Sequence, residues 1–302
     1  MSQARPIHPR TTYFVTRRVE RRHCLLRPDP LMNAFIKYAL VVSACRYGIL
    51  VHAFCAMSTH IHYVITDPHG QLPRFLAMFH RAVAIGVKTI RARDGAIWDR
   101  SQTSIVELCT SEAIIEKIAY TLANPVAAGL VRHAHEWPGV KTSIGDIGNT
   151  SLHAKRPKQW FRSDNPEWPL DATVPISVPG SPTPAEAAEF RSRVSAELIK
   201  LEAVAHALIP KNKVLGVKGV LKLNPEHRIT TYEPSRQRNP TIAVGRGNRE
   251  ELIRAKTAVR DFRQRYRRAL EAWRQGERSV VFPQGTYVMR VVHGVNVAPY
   301  LS

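Results

Sequence analysis

Two histidines separated by a single residue form the first group in this chain that could bind a metal. Residues 59–64 read Thr-His-Ile-His-Tyr-Val, with the histidines at His60 and His62. On a β-strand, residues two apart project to the same side, so both imidazoles would lie together while Ile61 faces the core. Neutral imidazoles are good ligands for divalent metals. The alternative is two exposed or packed strand histidines, since His-x-His also arises by chance in a chain with 13 histidines.

A tyrosine and an asparagine form the second group. Tyr120 and Asn124 are four residues apart in a segment with helical periodicity, so they share one face over consecutive turns. Pro125 disfavours helical geometry at the residue before it, which predicts that the helix ends at Asn124. A phenol and an amide oxygen would then emerge together from a helix end. The alternative is a core tyrosine followed by an Asn-Pro helix stop.

The elements that must position these groups alternate between strand-like and helix-like patterns. Period-two runs rich in β-branched and aromatic residues predict strands, and apolar residues spaced by three and four predict helices. The predicted order is β, α, β, β, α, β, α, over residues 11–19, 29–47, 49–57, 61–66, 72–93, 103–109 and 111–123. This order predicts an α+β fold, a ferredoxin-like antiparallel sheet with helices packed on one face.

Further residues near these motifs form a recognisable signature. The His-Ile-His at 60–62 matches an HUH motif (His, bulky apolar, His), and 120–131 holds a tyrosine followed by Asn-Pro-Val-x-x-Gly-Leu-Val. A Trp-Pro pair follows at 137–138. Together these motifs resemble the REP-associated tyrosine transposases, relatives of single-tyrosine insertion-sequence transposases in the HUH endonuclease superfamily. The resemblance covers roughly 8–145 and departs at 58–59, where Ser-Thr replaces the common Pro-Asn.

The resemblance implies an HUH endonuclease domain that nicks single-stranded or hairpin DNA and transfers the strand. In that family's chemistry Tyr120 is the nucleophile, and the intermediate is a 5′-phosphotyrosine with a free 3′-OH. The resemblance also implies Mg²⁺ or Mn²⁺ on His60 and His62, with Asn124 as a third, oxygen ligand. Glu116, one turn before Tyr120, is a candidate acceptor of the phenolic proton, with an exposed helix carboxylate as the alternative.

Two other functions remain open from the sequence. One is a non-catalytic, domesticated protein that binds DNA hairpins, and the other is a hydrolytic metal nuclease in which water replaces the tyrosine. The family resemblance also leaves open whether the chain acts as a monomer or as a homodimer.

The charge of the chain favours a polyanionic partner. The 302 residues include 44 Lys and Arg and 24 Asp and Glu, which gives a formal net charge of +20. This balance is atypical of a metabolic enzyme and is typical of nucleic-acid binding. The arginines expected to contact DNA follow the first strand or lie in a basic helical stretch of the second half: Arg17, Arg18, Arg21, Arg22, Arg263, Arg267 and Arg268. For each group the alternative is a solvated surface.

Composition also divides the chain and indicates its compartment. We interpret 1–150 as the catalytic domain, 151–183 as a Pro- and Ser-rich linker, and 184–302 as a basic, mostly helical extension that contacts DNA. The four cysteines form no Cys-x-x-Cys pair, and no apolar run approaches the ~20 residues that span a bilayer. We therefore expect a reduced, cytoplasmic, nucleoid-associated protein without a membrane partner.

Overall fold

The computed structural model describes residues 4–100, 103–158, 161, 164–230 and 240–300. Nine strands lie in these ranges: β1 (Thr11–Arg18), β2 (Leu50–Ala56), β3 (His60–Asp67), β4 (Ser104–Leu108), β5 (Ser151–Lys155), β6 (Asp171–Pro175), β7 (Ile242–Ala243), β8 (Val281–Phe282) and β9 (Asn296–Val297). Seven α-helices lie in them: α1 (Pro30–Tyr47), α2 (Leu72–Arg91), α3 (Ser111–Ala127), α4 (Pro184–Leu208), α5 (Gly216–Lys222), α6 (Arg249–Arg274) and α7 (Val288–His293).

The central sheet has five strands in the order β2-β3-β1-β4-β7. The first four strands pair antiparallel with one another, as the sequence predicts, and the α+β fold is confirmed. The fifth strand, β7, pairs parallel to β4 and comes from the region after residue 184. Sequence periodicity did not predict it, because two residues are too few to show an alternation.

One face of the sheet is covered by α1 and α2. Tyr63 of β3 contacts Phe75 and Phe79 of α2 edge-on, with ring centroids 6.2 and 5.8 Å apart. The two helices approach closely at Gly86 of α2, where an added Cβ would lie 2.2 Å from the Phe35 ring of α1. Glycine is favoured at this helix crossing because a larger side chain would overlap the Phe35 ring, and not because the backbone there needs a positive φ.

The opposite face of the sheet carries α3. His62 precedes Tyr63 on β3 and so points to the other side, where its ring lies 5.4 Å from that of Tyr120 on α3. The prediction of helices on one face thus holds for α1 and α2, whereas α3 lies on the other face. The strand and helix patterns are the same for either face, so periodicity could not separate the two arrangements.

The predicted end of α3 at Asn124 is wrong, because the helix continues through Pro125 to residue 127. Pro125 removes one backbone hydrogen bond, but Asn124, Pro125 and Val126 are all buried, and this packing outweighs the loss. The chain leaves the helix with the Leu130 amide donating to the Pro125 carbonyl at 3.0 Å. The helix thus continues for three residues beyond Asn124, which lies in regular helical geometry.

The segment 151–183 contains a hairpin rather than only extended chain. β5 and β6 pair antiparallel and pack on α1, with Ala154 and Val174 buried. Beyond β6, the Ser177 amide donates to the Val51 carbonyl of β2 at 2.9 Å. The described part of this segment therefore packs on the preceding domain, although its composition predicts a linker. Residues 159, 160, 162 and 163 lie outside the described ranges.

The remainder of the chain is mostly helical, as predicted. α4 packs along α3, and α6 packs against β7 and β8. A small separate core joins α6 to the C-terminal elements through Ala269, Phe282, Met289 and Val295. Among the described residues, no helix combines the length and apolar character needed to cross a membrane.

Candidate active site

His60 and His62 lie side by side on the sheet face that α3 covers. Their ring centroids are 4.5 Å apart. His62 is only 4% exposed, and His60 is partly buried. The expectation that both imidazoles project to one side of a strand is met. Because α3 packs on this face, a ligand of the imidazoles would lie next to that helix.

A threonine hydroxyl holds each imidazole at Nδ1. Thr59 Oγ1 lies 2.8 Å from Nδ1 of His60, and Thr16 Oγ1 lies 2.8 Å from Nδ1 of His62. When Nδ1 carries the proton and donates to the threonine, Nε2 is left with the lone pair. Metal-binding histidines are commonly oriented in this way by a second hydrogen bond. The Ser-Thr at 58–59 thus supplies an orienting hydroxyl directly beside the first histidine.

Asn124 of α3 completes a group of three possible donors. Its Oδ1 lies 3.2 Å from Nε2 of His60, and its side chain is buried. Burial, helped by the nearby charges of His60, Arg18 and Lys117, holds the pKa of His62 well below its usual value. The imidazole therefore stays neutral, the form that binds a metal.

This donor set fits a divalent cation with mixed nitrogen and oxygen ligands. Two imidazole nitrogens and one amide oxygen are acceptable to Mn²⁺ and, through the oxygen and bound water, to Mg²⁺. Among the described residues, no group of three or more His, Cys, Asp or Glu side chains is arranged to hold a metal ion. A metal at this position would accordingly depend on the amide of Asn124 as its third protein ligand.

Tyr120 lies directly beside the two histidines, one helical turn before Asn124. Its ring contacts those of His62 and Phe14 edge-on at 5.4 and 5.7 Å, and its side chain remains 40% exposed. Phe14 stacks on His62, with centroids 5.4 Å apart and planes inclined by 14°. The aromatic contacts hold the ring while leaving it accessible, so one substrate could contact both the phenol oxygen and the histidine pair.

Sequence reasoning missed Lys117, which places a positive charge beside the tyrosine. Lys117 Nζ lies 5.4 Å from the ring centroids of both Tyr120 and Phe14. The position three residues before Tyr120 on the same helix could have indicated it. Thr16 and Phe14 were also missed, although both lie within the predicted first strand.

Glu116 makes its contacts away from the tyrosine. Its Oε1 accepts a hydrogen bond from the backbone amide of Arg246 at 3.0 Å and lies 3.9 Å from the Arg246 Nε. The candidate proton acceptor is therefore engaged with the loop between β7 and α6.

The arginines predicted after the first strand do not lie together. Arg18 is exposed and pairs in register with His60, on the same face of the sheet. Arg17 points to the opposite face, where its guanidinium lies 5.6 Å from the Trp98 ring, and burial lowers its pKa. Arg21 and Arg22 follow in a turn with φ of 50° and 59°. Of the four, Arg18 is the one that neighbours the histidines.

The arginines predicted on the second-half helix lie on α6, outside the histidine site. Arg263 and Arg267 line a groove of about 510 Å³ between α6 and β7. Arg263 also donates from Nε to the Ala4 carbonyl at 3.3 Å. Arg268 is exposed and is not among the residues that line the groove. The structure thus separates two basic regions, one at the histidines and one along α6.

No protein-family model and no curated protein matches this chain. Among solved structures, it is similar to a REP-associated tyrosine transposase bound to a REP hairpin, with 19% identity and a TM-score of 0.40 over 48% of this chain and 85% of that chain. It is also similar to a candidate transposase from Deinococcus radiodurans R1, with 18% identity and a TM-score of 0.28 over 35% of this chain and 85% of that chain. The similar region spans about half of this chain or less, which leaves the function to be inferred from the site itself.

Proposed function

We propose that this protein is a metal-dependent transposase that nicks single-stranded DNA at hairpin or repeat sequences and transfers the strand. The observation that carries the proposal is the position of Tyr120, held against His62 and one turn from Asn124. A phenol is a suitable nucleophile for a phosphodiester when the negative charge that develops on the phosphate is neutralised.

The residues that would hold Mg²⁺ or Mn²⁺ are His60 and His62 through Nε2 and Asn124 through Oδ1. When bound, such a cation supplies Lewis-acid polarisation of the non-bridging phosphate oxygens. Thr59 and Thr16 each contact Nδ1 of one imidazole, which orients Nε2 of both rings for this role.

The reaction itself is a transesterification at phosphorus. Tyr120 Oη forms the new O–P bond, the P–O3′ bond breaks, the phenolic proton is released, and the 3′ oxygen takes up a proton. The product is a 5′-phosphotyrosine and a free 3′-OH. Because the phenolate is a better leaving group than a sugar alkoxide, with a reference pKa of ~10, a 3′-OH can reverse the step and rejoin strands.

Two cations beside the site suit this chemistry. Lys117 Nζ lies near the tyrosine ring, and Arg18 lies on the same face as His60. Lys117 is positioned to stabilise negative charge on the reacting phosphate and phenol oxygens. Arg18 is exposed at the edge of the site and is positioned to contact the flanking phosphates of the strand.

The proposal is tested by covalent capture of the tyrosine. Wild type and Tyr120→Phe are incubated with 3′-labelled single-stranded hairpin DNA and Mg²⁺ or Mn²⁺, then separated under denaturing conditions, because a 5′-phosphotyrosine retains the 3′ part of the strand. We expect a metal-dependent, denaturant-resistant adduct with wild type alone. The phenylalanine variant is a matched control because it keeps the ring packed on His62 and Phe14.

Each other outcome points to a different function. An adduct that persists in Tyr120→Phe excludes Tyr120 as the nucleophile. Cleavage without an adduct indicates a hydrolytic nuclease that uses water. Tight binding of several hairpins with neither adduct nor cleavage indicates a non-catalytic hairpin-binding protein.

A further inference from the structure

The groove between α6 and β7 is a second concave surface, remote from the histidines, and its wall is strongly basic. Its lining residues include Lys256, Arg260, Arg263 and Arg267, with Ile242 of β7 and Val259 of α6 as the apolar part. We propose that this groove, here named the α6 groove, binds the phosphodiester backbone of double-stranded DNA, the stem of a hairpin. The inference rests on the proposed function, because it assigns a second contact to the same DNA.

The basic residues form a single stripe along the helix. They are spaced by four, three and four positions, which places all of them on one face of α6. At 1.5 Å per residue, the stripe from Lys256 to Arg267 is about 16 Å long, the length of about five base pairs of duplex. On the same helix, Asp261 lies 3.8 Å from Arg260, and Glu271 stands four residues after Arg267. The stripe therefore matches a short run of phosphates in length and in charge.

The lining chemistry favours a duplex over a single strand. Proteins that bind single strands stack the bases on aromatic side chains. Among the described residues, those that line the α6 groove include no aromatic side chain, whereas the active site holds Tyr120 and Phe14. A surface with positively charged side chains but no aromatic rings binds the phosphates and makes few contacts that depend on the base sequence.

The groove is connected to the tyrosine helix through the sheet. Because β4 and β7 are parallel, the helices that follow them, α3 and α6, start at the same end of the sheet. Thr110 before α3 donates from Oγ1 to the Val244 carbonyl after β7 at 2.7 Å. Arg246, three residues before α6, binds Glu116 of α3. Ile242, which lines the groove, is in register with Glu107 and Tyr13 on the sheet face opposite His62. A DNA molecule that occupies both regions therefore passes around the β7 edge of the sheet.

A matched pair of triple variants tests the inference in the full-length protein. The groove variant is Lys256→Gln, Arg260→Gln and Arg267→Gln. The control variant is Arg254→Gln, Arg265→Gln and Arg274→Gln, which removes three positive charges from the same helix outside the groove. Arg263 is left unchanged because it also bonds the Ala4 carbonyl. Thermal unfolding checks that both variants remain folded.

Binding is measured by fluorescence anisotropy against salt concentration, with a hairpin, its stem as a blunt duplex, and a single strand of equal length. Losing three phosphate contacts lowers the slope of log K against log salt by about 2.7, which weakens binding at about 0.15 M salt by roughly 100-fold. We expect this loss for the groove variant on hairpin and duplex, with the control variant within a few fold of wild type.

Several results would overturn the assignment. Equal losses in both variants mean that only net charge matters, and an unchanged slope in the groove variant means that no phosphates lie there. A loss confined to the single strand means that the groove takes the unpaired DNA instead. Adduct formation by Tyr120 is measured separately. The absence of an adduct with wild type contradicts the proposed reaction, whereas the binding data still test whether the α6 groove contacts the stem.

Discussion

Replacing Lys117 with methionine removes a positive charge beside the tyrosine while keeping an unbranched side chain of similar length. Lys117 Nζ lies 5.4 Å from the Tyr120 ring centroid. If the negative charge that develops on the reacting oxygens is placed at the same separation, its interaction with the ammonium is about 3 kcal/mol at an effective dielectric of 20 and about 0.8 kcal/mol in bulk water. Tyr120 is 40% exposed, so the effective value lies between these limits. We expect strand cleavage to slow by about 4-fold to 150-fold.

The assay is single-turnover formation of the tyrosine adduct, at saturating metal and with DNA concentration varied. If Lys117 stabilises charge in the transition state, Lys117→Met lowers the rate at saturating DNA and leaves the half-saturating DNA concentration nearly unchanged. Lys117→Arg retains the charge and should recover most of the rate. Thermal unfolding of both variants checks that losing the contact between Lys117 and Phe14 has not destabilised the fold.

Two results would refute this reasoning. A saturating rate for Lys117→Met within about 2-fold of wild type falls below the weakest interaction calculated from the distance. A higher half-saturating DNA concentration with an unchanged rate would make Lys117 a residue that binds DNA equally in the ground state and the transition state.

Three further predictions concern the ligand supports, the helix crossing and the pH dependence of stability. Thr16→Val and Thr59→Val each remove a hydrogen bond that orients a histidine. Adduct formation should then need about 10- to 100-fold more Mn²⁺ but reach a similar maximum rate. An unchanged dependence on Mn²⁺ concentration would contradict the orienting role of the threonines. Gly86→Ala should lower the free energy of unfolding by about 1–3 kcal/mol in denaturant titrations, because its Cβ meets Phe35, and adding Phe35→Leu should recover part of the loss. Burial lowers the pKa of His52 to about 4. Between that value and about 6.5, His52 is protonated in the unfolded chain but neutral in the folded chain, so the free energy of unfolding should fall by up to about 3 kcal/mol as the pH drops through this range. His52→Gln should flatten this part of the pH profile, and an unaltered profile would assign the effect to other groups.

Local periodicity was sufficient wherever the relevant residues share one element. Alternation along a strand predicts that His60 and His62 lie together, and helical spacing predicts that Tyr120 and Asn124 share a face; the structure has both arrangements. The strand and helix order of the first domain was predicted correctly for the same reason. These features depend on backbone geometry that each short segment carries by itself.

Local rules failed where packing between elements competes with them. Pro125 predicts a helix end at Asn124, but the burial of both residues extends the helix. The sequence does not distinguish Arg17 from Arg18, which are adjacent arginines in a basic segment. In the structure, the alternation along β1 directs Arg17 to the Trp98 ring and Arg18 to the face of the histidines. Their different surroundings follow from which face of the sheet each one occupies.

The sequence by itself determined the pair of histidines on one side of a strand, the tyrosine and asparagine on one side of a helix, and the excess of positive charge. The tertiary structure alone decided that α3 packs on the face carrying the histidines, which brings Tyr120 to His62 and Asn124 to His60. It also decided that a two-residue strand and α6 enclose a basic groove. The physical reason is that periodicity fixes directions within an element, whereas contacts between distant elements depend on how the whole chain buries its apolar surface.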